Sequence, residues 1–164
     1  MLLEKGAEQA VEDGDIAIKE YPKVKAALDL YRLVTTKHPD LEKLDNHWIH
    51  GEPGVGKSKM ARERWPNHYN KSPDDNWFTG YNGEDTILID DFEPVNRKQT
   101  GLLKRLADHY STVVRVHGLQ ISIRPKQIVI TSNFRPNEIW EGSYLAAIER
   151  RFTIWYLESD RITR

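Results

Sequence analysis

The 164-residue sequence contains no cysteine, which excludes disulfides, thiolate zinc sites and cysteine nucleophiles and suits a reducing compartment. It has no apolar run near the roughly 20 residues that cross a bilayer, and no charged n-region followed by an apolar h-region opens it. A soluble chain without a secretory signal or membrane partner is the expectation. An excess of one charge is missing too, because 24 Lys and Arg stand against 25 Asp and Glu. That balance excludes a strongly basic monomeric nucleic-acid binder. Internal repeats and low-complexity tracts are absent. What is present is 10% aromatic residues beside 30% charged ones, too aromatic for a disordered linker and too polar for a membrane protein. The length fits one domain, or one domain with a small appendage.

The near-neutral total conceals sorted parts. Residues 1–20 carry a net charge of −4 and read as a solvated acidic lead-in. From Ile18 to Val34 the apolar residues Val24, Ala27, Leu28, Tyr31 and Val34 recur at three- and four-residue spacing, which predicts an amphipathic helix entered at Pro22. Residues 1–44 are therefore expected to form a helical appendage, ending in a loop at His38-Pro39-Asp40. From residue 45 to 164, short apolar runs alternate with glycine turns and helical stretches, as in an α/β domain with a mostly parallel sheet. Four buried strands are predicted, at 47–50, 86–90, 127–131 and 152–156. In parallel sheets ligands bind beyond the carboxyl ends of the strands, so the residues just after these runs matter most.

Three of those ends carry chemistry. The segment Gly51-Glu52-Pro53-Gly54-Val55-Gly56-Lys57-Ser58 matches G-x-x-x-x-G-K-[ST] in full. Gly51, Gly54 and Gly56 let backbone N–H groups turn inward around phosphates, Lys57 reaches the terminal phosphates, and Ser58 is a Mg²⁺ ligand. A helix from Lys59 to Trp65, stopped by Pro66, would add its positive end. The second end is Ile87-Leu88-Ile89-Asp90-Asp91-Phe92. Two carboxylates at the tip of an apolar strand are costly to bury without a cation; Asp90 is assigned to Mg²⁺ and Asp91 to orienting or deprotonating the attacking water. The third is Ile128-Val129-Ile130-Thr131-Ser132-Asn133, whose Asn133 amide is suited to sense a γ-phosphate and the lytic water, although a turn at Asn133 to Pro136 is the plainer alternative.

Between Asp108 and Glu138 there is no acid, while Arg115, Arg124, Lys126 and Arg135 supply four positive charges. Val113 to Arg124 alternates apolar and polar about His117-Gly118. With those two as the turn, Val116 faces Leu119, Arg115 faces Gln120 and Val114 faces Ile121, so apolar residues share one face. Arg115, His117 and Arg124 are the candidate nucleic-acid contacts, of the kind that grip a backbone without reading sequence; an ordinary solvated hairpin is the alternative. Of Arg150 and Arg151, one is a candidate for neutralising charge on a transferring phosphoryl group across a subunit boundary. Either is equally readable as a structural ion pair to Glu149 or Glu141.

The ordered set GEPGVGKS, ILIDDF, VRVHGLQ and IVITSN resembles superfamily 3 helicases, most of all the ATPase domain of the replication initiators of circular single-stranded DNA viruses, circoviruses and their relatives. NWFTGYNG at 76–83 and PNEIW at 136–140 resemble further segments of that family, and the resemblance covers about residues 45–158. It implies an AAA+-like P-loop NTPase fold, ATP and Mg²⁺ as cofactors, a hexameric ring on single-stranded DNA, sites completed by an arginine finger, and rolling-circle replication in the host nucleus. It also implies that the helix at 18–34 contributes to oligomerisation. The family's hairpin tip usually carries Lys where this chain has His117, which weakens the charge expected at the tip. Its N-terminal endonuclease needs a His-hydrophobic-His pair and a Y-x-x-K tyrosine, and this chain has neither; nicking is expected from a nuclease domain elsewhere in a longer protein. The alternatives are a superfamily 3 RNA helicase of a positive-strand RNA virus, a nucleotide-dependent assembly module without unwinding, and a small-molecule kinase, against which the hairpin and Asn133 argue.

Overall fold

A computed structural model describes residues 1–159 and 161–164. The chain falls into two compact units, Met1–Lys37 and His38–Arg164. Residues 38–44 go with the second unit, unlike the boundary expected at 44/45. Leu41 makes two bonds with His109: its N–H donates to the His109 carbonyl at 2.8 Å, and the His109 Nδ1 lies 2.6 Å from the Leu41 carbonyl.

In the first unit the acidic lead-in is helical. Helix α1 (Leu2–Glu12) is interrupted at Gly6, whose φ of 80° an L side chain rarely adopts, and it buries Ala7 and Ala10. A 3-10 turn at Ile18–Glu20 leads into α2 (Tyr21–Thr35). Pro22 sits in the first turn of α2, where no intrahelical N–H is required. Of the expected apolar stripe, Leu28 is buried, whereas Tyr31 and Val34 are exposed; Leu33 is buried in their place.

The second unit is built on a six-stranded sheet. Its strands are β1 (Asn46–His50), β2 (His68–Lys71), β3 (Thr86–Ile89), β6 (Gln127–Ser132), β7 (Phe152–Glu158) and β8 (Arg161–Thr163), in the order β2-β3-β6-β1-β7-β8. All neighbours are parallel except β7 and β8. β3 and β6 carry the unbroken apolar runs Ile87-Leu88-Ile89 and Ile128-Val129-Ile130 because both their faces are covered. On one face α3 (Lys57–Arg64) sets Ala61 among Ile49, Leu88, Val129 and Leu157. On the opposite face the ring of Trp48 lies 5.5 Å from Phe92 and 5.6 Å from Trp140, edge to face in both cases. Helices α4 (Thr100–Leu106), α5 (Pro136–Ile139) and α6 (Gly142–Arg151) complete the unit. Among the described residues, no helix is long and apolar enough to cross a membrane.

A separate two-stranded ribbon, β4 (Thr112–Val116) and β5 (Leu119–Ile123), has the expected register, with Val114 opposite Ile121, Arg115 opposite Gln120 and Val116 opposite Leu119. Val114, Val116, Ile121 and Ile123 are buried, at about 1.5–3 kcal/mol each. Leu119, beside the turn, stays exposed. His117 (φ 49°) and Gly118 (φ 78°) form a turn with both central residues left-handed, the geometry that matches strand twist.

Candidate functional site

Strand register brings the three motifs together. β6 lies between β1 and β3, pairing His50 with Ser132 on one side and Ile89 with Ile130 on the other. The glycine loop after His50, Asp90 after Ile89 and Asn133 after Ser132 therefore emerge side by side at the carboxyl edge of the sheet. Parallel alignment, rather than proximity in sequence, makes one site of them.

Gly54 (φ 82°) and Gly56 (φ 95°) turn the loop through left-handed conformations, and α3 starts directly at Lys57. Gly51 is needed for a different reason: a Cβ there would meet the Leu157 carbonyl oxygen at 2.3 Å, where β7 passes the exit of β1. The buried Lys57 ammonium donates to the carbonyls of Gly51 (2.9 Å) and Glu52 (2.8 Å). Two of its three protons are so used, and one is left for an anion in the loop. Burial lowers its pKa, while the charges of Asp91, Glu52 and Asp90 oppose that shift.

Asp90 is half-buried and its carboxylate is held from three directions. Ser58 Oγ donates to Oδ1 at 2.7 Å, Thr131 Oγ1 donates to the same oxygen, and Arg62 donates to Oδ2 at 3.1 Å. Burial pushes this carboxyl upward, but the bonds from Thr131, Ser58 and Arg62 outweigh it and bring the pKa below its ordinary value. Asp91 is exposed, with φ at 55°, a strained turn fixed by its own N–H donating to Thr131 Oγ1 at 3.0 Å and by Phe92 N–H donating to the Thr131 carbonyl at 2.9 Å. The sequence reading missed Thr131 and Arg62. A hydroxyl at the end of an otherwise apolar strand, and an arginine one helical turn after Ser58, were the available signals.

Asn133 is exposed and lines a cleft of about 390 Å³ with His50, Gly51, Glu52, Arg135 and Tyr156. Its backbone is locked by Ser132, whose hydroxyl donates to the Phe92 carbonyl at 2.6 Å and accepts from Phe134 N–H at 3.0 Å. Burial, then the nearby Arg135 charge, pushes the His50 imidazole below its ordinary value.

Elsewhere the candidates separate. Arg115 and His117 are exposed on the polar face and tip of the ribbon. Arg124 is half-buried at the ribbon's base, donates to the Pro39 carbonyl and has its Nε buried without a partner among the described residues, so it also anchors the 38–41 loop. Arg151 has a different partner from the one expected. Only 9% exposed, it spends its guanidinium on the carbonyls of Lys104 (3.1 Å) and Ala147 (2.9 Å) and on Asp108 (2.9 Å). Its ion pair is thus to Asp108, not to Glu149 or Glu141, and three of its five N–H donors are spent on groups within the chain. Arg150 is exposed and takes part in no ion pair among the described residues.

The family described as RNA helicase matches residues 47–134. The replication-associated protein of beak and feather disease virus is 37% identical over 117 residues, covering 70% of this chain and 39% of that protein. Those of canary circovirus and porcine circovirus 2 are 38% and 36% identical, covering 65% and 68% of the chain and 37% and 36% of their own lengths. The chain thus spans a little over a third of the curated relatives it matches. The family match begins in β1 and ends just past Asn133, taking in all three strand ends of the site, and the chain belongs to this family as a circovirus-like superfamily 3 helicase domain.

Proposed function

We propose that the chain is the ATP-hydrolysing P-loop motor of a viral replication initiator, which assembles as a homo-oligomer, a hexamer, on single-stranded DNA and unwinds DNA in rolling-circle replication. The observation that carries this reading is the convergence of Lys57 and Ser58, Asp90 with Asp91, and Asn133 on adjacent parallel strand ends.

The donor set suits the nucleotide and its metal. Among the described residues no group of three or more His, Cys, Asp or Glu converges, but a hydroxyl and a carboxylate 2.7 Å apart at Ser58 and Asp90 suit Mg²⁺, which takes one or two protein oxygens and fills its shell with phosphate and water. When bound, Mg²⁺ neutralises charge on the phosphates. Lys57 and the loop N–H groups hold the phosphates, the Asp91 carboxylate orients the attacking water and accepts its proton, and Asn133 binds the terminal phosphate. Arg150 supplies the trans guanidinium. Arg115 and His117 grip the nucleic-acid backbone, and the exposed Tyr31 and Val34 of α2 contribute to assembly. Nicking belongs to a nuclease domain of the full-length protein.

A second reading, action on RNA, is favoured by the description of the matching family. ATP turnover of the chain, measured alone and with DNA or RNA oligomers of equal length, tests both. Lys57→Ala and Asp91→Asn each lose turnover by about a hundredfold or more, the cost typical of removing a group that acts on the transition state. Undiminished hydrolysis in either variant overturns the site, and stimulation by RNA alone moves the substrate to RNA.

A further inference from the structure

Residues 94–107 hold four cations, Arg97, Lys98, Lys104 and Arg105, and no acid. None of the four side chains enters an ion pair among the described residues. Unpaired cations held on short, ordered elements are a standing attraction for a polyanion.

Three of them border a cleft of about 600 Å³ between the 3-10 turn at Pro94–Gln99, the first turn of α4 and the start of α6. Arg97 and Lys98 form one lip and Lys104 the base, while Tyr144 on α6 stands 58% exposed at the other lip with the Lys104 ammonium 5.5 Å from its ring. Glu141 is the one acid on the lining. The wall is preformed: Trp140 Nε1 donates to Thr100 Oγ1 at 2.8 Å, and the Trp140 ring packs 5.6 Å from Phe92. Beyond Arg97 and Lys98 the surface continues over Pro94 and Val95, the latter 65% exposed.

Cations interleaved with an exposed aromatic and an exposed aliphatic side chain fit a ligand that alternates phosphates with flat apolar faces. We propose that the cleft of Arg97, Lys98, Lys104 and Tyr144 is a second contact for single-stranded nucleic acid, distinct from the ribbon, in which the cations track the backbone and Tyr144 stacks a base. The inference rests on the reading of the chain as a nucleic-acid motor. It adds a site on the α4–α6 face that the ribbon residues do not include.

The test is binding of a fluorescent oligothymidylate to the full chain over a series of salt concentrations. Arg97→Gln with Lys98→Gln lowers the slope of log affinity against log salt by about 1.4, two cations at about 0.7 each for single strands. Tyr144→Ala weakens binding about tenfold, whereas Tyr144→Phe, which keeps the ring, binds as the unaltered chain does. An unchanged slope in the double variant, with Arg115→Gln still reducing it, overturns the cleft and leaves the motor reading intact. No change in any of these variants overturns both. Loss of self-association with an unchanged slope, read by sedimentation without nucleic acid, assigns the cleft to a subunit boundary and overturns it as a nucleic-acid site.

Discussion

The Ser58 hydroxyl donates to Asp90 Oδ1 at 2.7 Å, joining the start of α3 to the tip of β3 across 32 residues of sequence. Thr131 and Arg62 complete the hold, and together the three bonds keep the Asp90 pKa below its ordinary 3.8 in spite of burial. A carboxyl whose folded pKa lies below the unfolded one contributes stability in full above the unfolded value and loses it as pH falls through the folded one. Asp90→Asn has no such dependence. Thermal melts taken downward from neutral pH therefore show a steeper fall below about pH 4 for the unaltered chain than for Asp90→Asn.

Thr131 is fully buried and its hydroxyl works in two directions, accepting from Asp91 N–H and donating to Asp90. Thr131→Val keeps the shape and removes both bonds, at a cost of about 1–3 kcal/mol. Calorimetry shows this as a lowered Tm, and the acid limb of the Asp90 titration moves upward. Thr131→Ser restores both properties.

Arg151 and Arg150 are neighbours with opposite fates. Arg151→Ala leaves the Asp108 carboxylate without its ion-pair partner and empties a buried position, costing about 3–5 kcal/mol. Arg150→Ala, on the surface, changes stability by about 0.5 kcal/mol or less. In turnover assays Arg150→Ala is deficient, and mixing it with Lys57→Ala restores some activity because mixed boundaries pair one intact loop with one intact arginine. A mixture as inactive as its components rejects Arg150 as the trans group.

Two loop glycines differ in kind. Gly51→Ala forces a Cβ onto the backbone carbonyl of Leu157, which belongs to a paired strand and has little freedom to retreat. Gly54→Ala meets nothing within 4 Å and incurs only the strain of its left-handed φ, about 1–2 kcal/mol. Denaturant titration separates them, with Gly51→Ala the more destabilised.

Much of this site is legible in one dimension. The apolar runs located four strands to within two residues, because buried parallel strands must be apolar on both faces. Period-two alternation set the ribbon's register, since a slip of one residue would expose its buried face. The edge strands β2 and β8 were not visible: His68-Tyr69-Asn70-Lys71 and Arg161-Ile162-Thr163 carry too little apolar periodicity, and only pairing to a neighbour makes strands of them. Helix α1 hid in an acidic segment because its buried face is one glycine and two alanines.

The sequence by itself determined the chemistry available: glycines with a lysine and serine, paired aspartates and an asparagine, each at the end of an apolar run. Tertiary structure decided which side chains are free to act. Placing β6 between β1 and β3 made Thr131 the hydroxyl that binds Asp90, and packing α6 against α4 turned Arg151 inward while leaving Arg150 in solvent. The physical reason is that motif spacing is a local property, whereas burial and hydrogen-bond partnership arise from residues 40 or more positions apart, as with Asp90 and Thr131 or Asp108 and Arg151.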